Sequence, residues 1–176
     1  MVKNWFSYGP SDEANYRSNH FGLIVTAQNP FDAPVRDTTS YSVPGLNGDV
    51  IIDNGRFKNI SVSYEIVLIG ATNAKMDAIR QWLCGFVGYQ RIYDSYDATV
   101  YREGVFASNI SWTMTQLMAH GKAVVTFNCK PQRWLVQDSD GIVIPRSPQT
   151  GTAWVRVTNP TGLKAKPIVK HPVISG

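Results

Sequence analysis

The sequence predicts a mainly β fold of the α+β class that contains a single α-helix. Several segments alternate apolar and polar residues with a period of two, and turn dipeptides such as Pro-Gly and Asn-Gly separate them. One segment alone changes to the helical period of about 3.6 residues. Hydrophobic residues make up 43% of the 176 residues, which excludes disordered and collagen-like chains and is enough for one core of ordinary size.

The first strands lie on either side of a turn-rich segment. We expect a strand over residues 21–25, which the breaker Asn29-Pro30 follows. Proline fixes its own φ angle and Asn-Gly favours positive φ, so a cluster of such residues predicts a turn. The motif consists of Pro44, Gly45, Asn47, Gly48 and Asp49.

Residues 50–69 predict a hairpin of unequal strands. A short strand over residues 50–52 leads into a tight turn at residues 53–55, and a long strand follows over residues 57–69. Apolar residues alternate with polar ones in its first part, and the polar residues fade toward its end. We therefore expect the end of this strand to be buried on both faces.

The single helix is predicted over residues 72–86. Thr72 or Asn73 is suited to the N-cap position, and Gly85 and Gly88 provide a stop. Apolar residues recur at three- or four-residue steps and define one buried face: Met76, Ile79, Trp82, Leu83 and Phe86.

Two further hairpins are predicted after the helix. The first covers residues 90–104, with a polar tip at residues 94–98. The second pairs an alternating strand over residues 106–114 with another over residues 123–129. We expect Lys130-Pro131 to end the last strand, because proline cannot donate a hydrogen bond to a central ladder.

The C-terminal part differs from the rest in charge and in amino-acid composition. The chain carries 17 Lys and Arg against 13 Asp and Glu, and every acidic residue lies at or before Asp140. We expect residues 1–137 to form the folded domain and residues 138–176 to be a linker with a basic extended arm, or the truncated start of a second domain. The arm would dock a partner through Arg146, Arg156, Lys164, Lys166 and Lys170.

The sequence offers nothing from which to build an enzyme. His20, His120 and His171 are far apart, and no nucleophile elbow, phosphate loop, dinucleotide fingerprint or zinc motif is present. We therefore expect no catalytic, cofactor or metal site. The near-neutral body predicts no specific nucleic-acid binding, and we expect neither a signal peptide nor a membrane span. Cys84 and Cys129 are predicted to be buried free thiols.

The order of these elements resembles the N-terminal domain of the distal tail protein of siphovirus-type phages. The similarity covers roughly residues 15–135. Its most specific piece is the Pro-Gly-Xaa-Asn-Gly-Asp turn, in which Leu46 stands where the family often has a basic residue. The other matching features are the segments at 21–25, 53–57, 61–69, 91–94 and 127–131, together with the helix that carries Trp82.

The resemblance implies an antiparallel β-sandwich with one flanking helix and a projecting β-hairpin. It also implies a structural virion protein whose six copies close into a ring at the distal end of the tail. The hairpin at 90–104 would be the belt that clasps the next subunit. Its belt residues would be Arg91, Ile92, Tyr93, Asp94, Tyr96 and Tyr101.

In such a phage tail the ring joins the tail tube to the tip or baseplate and anchors host-attachment proteins. The partners implied are the tail tube protein, the tip or hub protein, the tape-measure protein, and receptor-binding or side-fibre proteins. The location implied is the virion, after assembly in the host cytoplasm. Two alternatives stay open: a tail-tube or hub protein of related fold, and a carbohydrate-binding module that uses exposed aromatic residues.

Overall fold

The computed structural model of the chain describes residues 4–29, 33–115 and 120–136. Within these ranges the chain forms nine strands and one α-helix, α1 (Asn73–Cys84), so the predicted mainly β fold with a single helix is confirmed. The linker and basic arm predicted over residues 138–176 lie outside the described ranges. The strands are β1 (Phe6–Gly9), β2 (Leu23–Gln28), β3 (Arg36–Ser42), β4 (Asp49–Phe57), β5 (Ile60–Leu68), β6 (Gln90–Asp94), β7 (Val100–Phe106), β8 (Thr113–Thr115) and β9 (His120–Leu135).

The strands form two antiparallel sheets. Six strands of the seven-stranded main sheet follow the order β1-β6-β7-β9-β5-β2, and β8 pairs with β9 beyond the end of β7. The main sheet curls, so that the chain just before β1 reaches β2, where the Val25 amide donates to the Asn4 carbonyl (3.4 Å). β3 and β4 pair with each other in a separate two-stranded sheet.

The core lies on the inner face of the main sheet. β5 and β9 pair over nine residues of each strand, from Ile60 opposite Cys129 to Leu68 opposite Gly121. Alternate residues of both strands point inward and are buried, which is the period-two pattern that the sequence predicts. These residues are Ile60, Val62, Tyr64, Ile66 and Leu68 in β5, and Ala123, Val125, Phe127 and Cys129 in β9.

The outer face of β5 is only partly covered, since Ser61 and Glu65 are exposed and Ser63 is half-buried. Val67 is half-buried, and Ile69, just beyond the strand, keeps 49% of its surface exposed. The prediction that this strand ends buried on both faces is therefore wrong. The helix and the other core residues pack in one cluster on the inner face, so apolar residues at the outer positions are left at the surface.

Helix α1 closes the core, as the sequence predicts. The Thr72 side chain accepts a hydrogen bond from the Lys75 amide (3.3 Å), which makes Thr72 the N-cap. Trp82 stacks on Phe21, with ring centroids 4.4 Å apart, and its indole N–H donates to the Tyr8 carbonyl (2.9 Å). This bond ties the helix to β1, a strand that lies 74 residues earlier in the chain.

Strand β1 has no counterpart among the predicted strands. All four of its residues are buried, including Ser7, so neither face of the strand is exposed. Phe6 stacks on Tyr64 at a centroid distance of 4.5 Å, and the Phe106 amide donates to the Tyr8 hydroxyl (3.3 Å). With only four residues, the strand is at the lower limit of length at which an alternation can be recognised in the sequence.

The strand predicted at residues 21–25 begins later than expected. Residues Ser18–Phe21 form a turn of 3-10 helix, which ends at Gly22 with φ +75°. β2 starts at Leu23 and continues to Gln28. The apolar Phe21 belongs to the turn and packs against the core from there.

The hairpin turn predicted at residues 53–55 is wrong. These residues lie inside β4, and the hairpin instead joins β3 to β4 through residues 43–48. Gly55 has φ +71° and its amide donates to the Asp53 side chain (2.9 Å), which creates a bulge rather than a reversal of the chain. The partner strand β3 is rich in polar residues and therefore gives no apolar alternation that would predict it.

The strand predicted over residues 106–114 is interrupted. β7 ends at Phe106 and β8 begins at Thr113. Between them the Ser108 hydroxyl accepts from the Thr126 amide (3.2 Å) and donates to the Thr126 carbonyl (3.1 Å). A side chain thus replaces the backbone pairing that a continuous strand would give to β9.

Lys130-Pro131 does not end the last strand, contrary to the prediction. β9 continues to Leu135. β5 begins opposite Cys129, so Pro131 has no partner on that side. On the other side the register with β7 jumps between Gly104 and Arg102. A proline is tolerated there because no regular ladder bond is required of it.

We expect the indole hydrogen bond of Trp82 to contribute measurably to stability. Replacing Trp82 with Phe removes the donor to the buried Tyr8 carbonyl and part of the ring contacts, at a cost of about 1–3 kcal/mol in the free energy of unfolding. Trp134→Phe is the matched control, since Trp134 is 44% exposed. Urea unfolding followed by circular dichroism measures both, and equal midpoints for the two variants would contradict this account.

The two cysteines differ in accessibility. The prediction that Cys84 is buried is wrong, because it falls outside the helical stripe that faces the core and is exposed. Burial raises the pKa of the Cys129 thiol to about 12, so this thiol is protonated at pH 8.

We expect iodoacetamide at pH 8 to modify Cys84 in the folded protein and Cys129 only in urea, as read by peptide mass spectrometry. Native labelling of Cys129 in a Cys84→Ser variant would refute the prediction.

Candidate assembly surface

The β3–β4 hairpin, residues 36–57, is the part of the fold least supported by the body, and we call it the arm. Residues 49–56 of β4 are all exposed. Successive residues of a strand point to opposite faces, so both faces of the arm are in solvent at this strand. The arm therefore extends away from the curled sheet.

The turn motif found in the sequence forms the tip of the arm. The Leu46 amide donates to the Val43 carbonyl (3.1 Å), which closes a turn with Pro44 at its second position. Gly45 follows with φ +85°, the conformation that the third position of a type II turn requires. Asn47 and Gly48 complete the tip, and Asp49 opens β4.

One face of the arm is apolar. Tyr41 lies opposite Val50 and Thr39 opposite Ile52, so these four side chains share a face, which we call the apolar face. Tyr41, Val50 and Ile52 are 55%, 42% and 50% exposed. Two strands alone are marginally stable in water, and a contiguous exposed apolar patch is typical of an interaction site.

Charged residues hold the base of the arm. The Asp37 carboxylate accepts from Arg56 Nε (2.6 Å) and lies 3.8 Å from Lys58 Nζ. The hydrogen bond from Arg56 lowers the pKa of Asp37 below its ordinary value. Beside them Arg36 pairs with Asp53 (2.8 Å). The sequence gives no signal for this cluster, since its members come together only through the pairing of β3 with β4.

The hairpin predicted as a belt is β6–β7, and the structure places it inside the main sheet. β6 pairs with β1 on its other side, and β7 pairs with β9, so both long edges are occupied within the chain. The expectation that this hairpin projects with an exposed edge is wrong. The structure has a projecting hairpin, but it is the arm.

The belt residues divide between the interior and the tip of this hairpin. Tyr93 and Tyr101 are 6% and 8% exposed, with ring centroids 5.3 Å apart, and Arg91 lies 4.9 Å above the Tyr101 ring. Burial raises the pKa of the Tyr101 hydroxyl. Ile92 belongs to the core. An inter-subunit role for these residues remains a prediction, and the tip residue Tyr96 is 58% exposed.

A polar network connects the tip of β6–β7 to β5 of the main sheet. Asp94 accepts from the amides of Tyr96 (3.0 Å) and Asp97 (3.1 Å), and the Tyr64 hydroxyl donates to it (3.4 Å). Arg102, only 5% exposed, lies in the same cluster, and burial lowers the pKa of its guanidinium. The cavity among these groups is about 20 Å³, which is no larger than one water molecule needs. We assign this network a structural role.

The described part of the chain holds no group of three or more His, Cys, Asp and Glu residues that could bind a metal ion. His20 is exposed and His120 is half-buried, whereas His171 lies outside the described residues. No helix in the described ranges is long and apolar enough to cross a bilayer. The predicted docking residues Arg146, Arg156, Lys164, Lys166 and Lys170 also fall outside those ranges.

The tryptophans within the described ranges do not form a common platform for a sugar. Trp82 is buried, as the sequence predicts, and Trp112 packs partly against the core. Trp5 is half-buried, with the Arg17 guanidinium 4.2 Å from its ring centroid. Trp134 is the exposed tryptophan among the described residues, and Trp154 lies beyond them.

Comparison with known proteins gives a match in structure alone. No protein-family model and no curated protein sequence matches the chain. The crystal structure of the SPP1 Dit protein (gp 19.1), described as a paradigm of the hub adsorption apparatus in phages that infect Gram-positive bacteria, is similar with a TM-score of 0.60 at 13% sequence identity. The match covers 77% of this chain and 53% of that chain, so the chain spans about half the length of SPP1 Dit. Over the matched part, this chain has the fold of SPP1 Dit.

Proposed function

We propose that the chain is a structural subunit of the adsorption apparatus at the tip of a long-tailed phage. The observation that carries the proposal is the shared fold with SPP1 Dit over 77% of this chain. The family resemblance in the sequence, from the arm's tip motif to the Trp82 helix, points to the same class independently of that comparison. The role is geometric, and no catalytic step is part of it.

We further propose that six copies close into a ring through the arm. Each copy would place its arm on the body of the next, which is a head-to-tail contact of the kind that generates closed rings. A strand of nine residues such as β4 spans about 30 Å, enough to reach across a neighbouring domain of this size. Contact with the next subunit would cover Tyr41, Val50 and Ile52, which the chain itself leaves exposed.

The ring would join the tail tube to the tip or hub protein and leave a channel for the tape-measure protein and then for DNA. Host-attachment proteins would be fixed around it. The basic residues from Arg146 to Lys170 would dock one of these neighbours, and an acidic surface is the complement that their charge favours.

The solution mass of the purified protein tests the ring. Light scattering coupled to gel filtration, followed by negative-stain images of the same peak, is expected to give six-subunit rings. Stacked tubes would favour a tail-tube protein instead. A monomer at all concentrations, together with binding on a glycan array, would overturn the proposal in favour of a carbohydrate-binding module.

The residues that close the ring are tested by a matched pair of variants. Replacing Tyr41, Val50 and Ile52 together with Ser is expected to leave a folded monomer, because these side chains are exposed and substitutions there leave the core intact. Tyr96→Ser, at the exposed tip of the other hairpin, is the control and should still assemble. Rings from the triple variant, or their loss in Tyr96→Ser alone, would contradict the assignment of the arm.

A further inference from the structure

The arm is attached to the body through an irregular pairing. Arg36 lies opposite Phe57 and Thr38 lies opposite Asp53, so residues 54–56 of β4 face the single residue Asp37 of β3. A bulge of this kind bends the strand and sets the direction in which the rest of the hairpin runs. Whatever fixes the bulge therefore fixes where the arm points.

Asp37 is the residue that occupies the bulge. It is 8% exposed as a whole residue, although its neighbours Arg36 and Thr38 are exposed. Its carboxylate takes the Nε–H of Arg56 on one oxygen (2.6 Å) and faces the Lys58 ammonium across 3.8 Å on the other. Arg56 lies within the bulge, and Lys58 lies just after β4. One carboxylate of β3 thus contacts both Arg56, inside the bulge, and Lys58, just beyond the end of β4.

The remaining contacts at the base are also polar. Arg36 pairs with Asp53 (2.8 Å), and the Asp53 side chain accepts from the Gly55 amide (2.9 Å). The Lys58 amide donates to the Val35 carbonyl (2.9 Å). Phe57 lies beneath the Arg36 guanidinium, whose carbon is 4.9 Å from the ring centroid.

We propose that Asp37 is a positioning residue for assembly, which holds the arm in the direction needed to reach the next copy. The effect of Asp37 on assembly rests on the proposed function, whereas its role in the geometry of the bulge does not. The lowered pKa of Asp37 agrees with a carboxylate that the two neighbouring cations keep ionised. Its contribution acts through Arg56 and Lys58, since Asp37 itself has little surface left for a partner.

The test compares Asp37→Asn with Asp49→Asn. Both substitutions remove one negative charge from the arm, and Asp49 is exposed with no ion pair among the described residues. Hydrogen–deuterium exchange of the arm peptides is expected to become roughly two- to tenfold faster in Asp37→Asn and to stay unchanged in Asp49→Asn. Arg56→Gln, which removes a cation whose side chain is 76% exposed, should reproduce the effect without a risk to folding.

Salt separates an electrostatic role from a merely steric one. At about 1 M NaCl the Debye length falls to roughly 3 Å, so arm exchange in the wild type should approach that of Asp37→Asn, while Asp37→Asn itself changes little. Equal exchange in wild type, Asp37→Asn and Arg56→Gln would overturn the proposal, and so would an equal response of wild type and Asp37→Asn to salt.

Ring assembly of the same variants tests whether the position of the arm matters for assembly. If the wild type assembles, Asp37→Asn and Arg56→Gln should assemble less completely at a given concentration than Asp49→Asn. If the wild type fails to form rings, the proposed closure of a ring through the arm fails, while the exchange data still confirm or refute the role of Asp37 in the arm. Faster arm exchange with undiminished assembly would refute the claim that Asp37 positions the arm for assembly.

Discussion

The pairing of β5 with β9 is the constraint on which the rest of the fold depends. Nine consecutive residue pairs fix the register, and the inward residues of both strands are buried. A slip of one residue would turn every apolar side chain to the solvent face, so the pairing is strongly specified. β7 and β8 attach to one edge of β9, β2 attaches to β5, and the helix closes the same core.

The arm does not attach to this core. It lies between β2 and β5 in the chain and ends just before β5, yet it contributes nothing to the cluster of buried residues. A projecting pair of strands with Tyr41, Val50 and Ile52 in water has no evident use in an isolated subunit. We therefore propose that another protein surface completes the arm and that the charged cluster around Asp37 sets its direction.

Local patterns in the sequence predict the elements whose signal is local. The alternation in β5 and the N-cap at Thr72 are read from neighbouring residues, and so is the Pro44-Gly45 turn. The strands that the sequence does not predict give weaker patterns, because β1 has only four residues and β3 is mostly polar. The sequence points to β6–β7 as the inter-subunit belt for a related reason. Its tyrosines look free in the sequence, and only the long-range pairing with β1 and β9 buries Tyr93 and Tyr101.

Photo-crosslinking from the arm tests directly whether the arm contacts a second copy of the chain. A benzophenone amino acid placed at Tyr41, on the apolar face, is compared with the same group at Tyr96, on the tip of β6–β7. The account predicts covalent dimers from position 41 whose crosslinked peptides map to the body of a second copy. Assembled protein that crosslinks from position 96 but gives no intermolecular product from position 41 would contradict it.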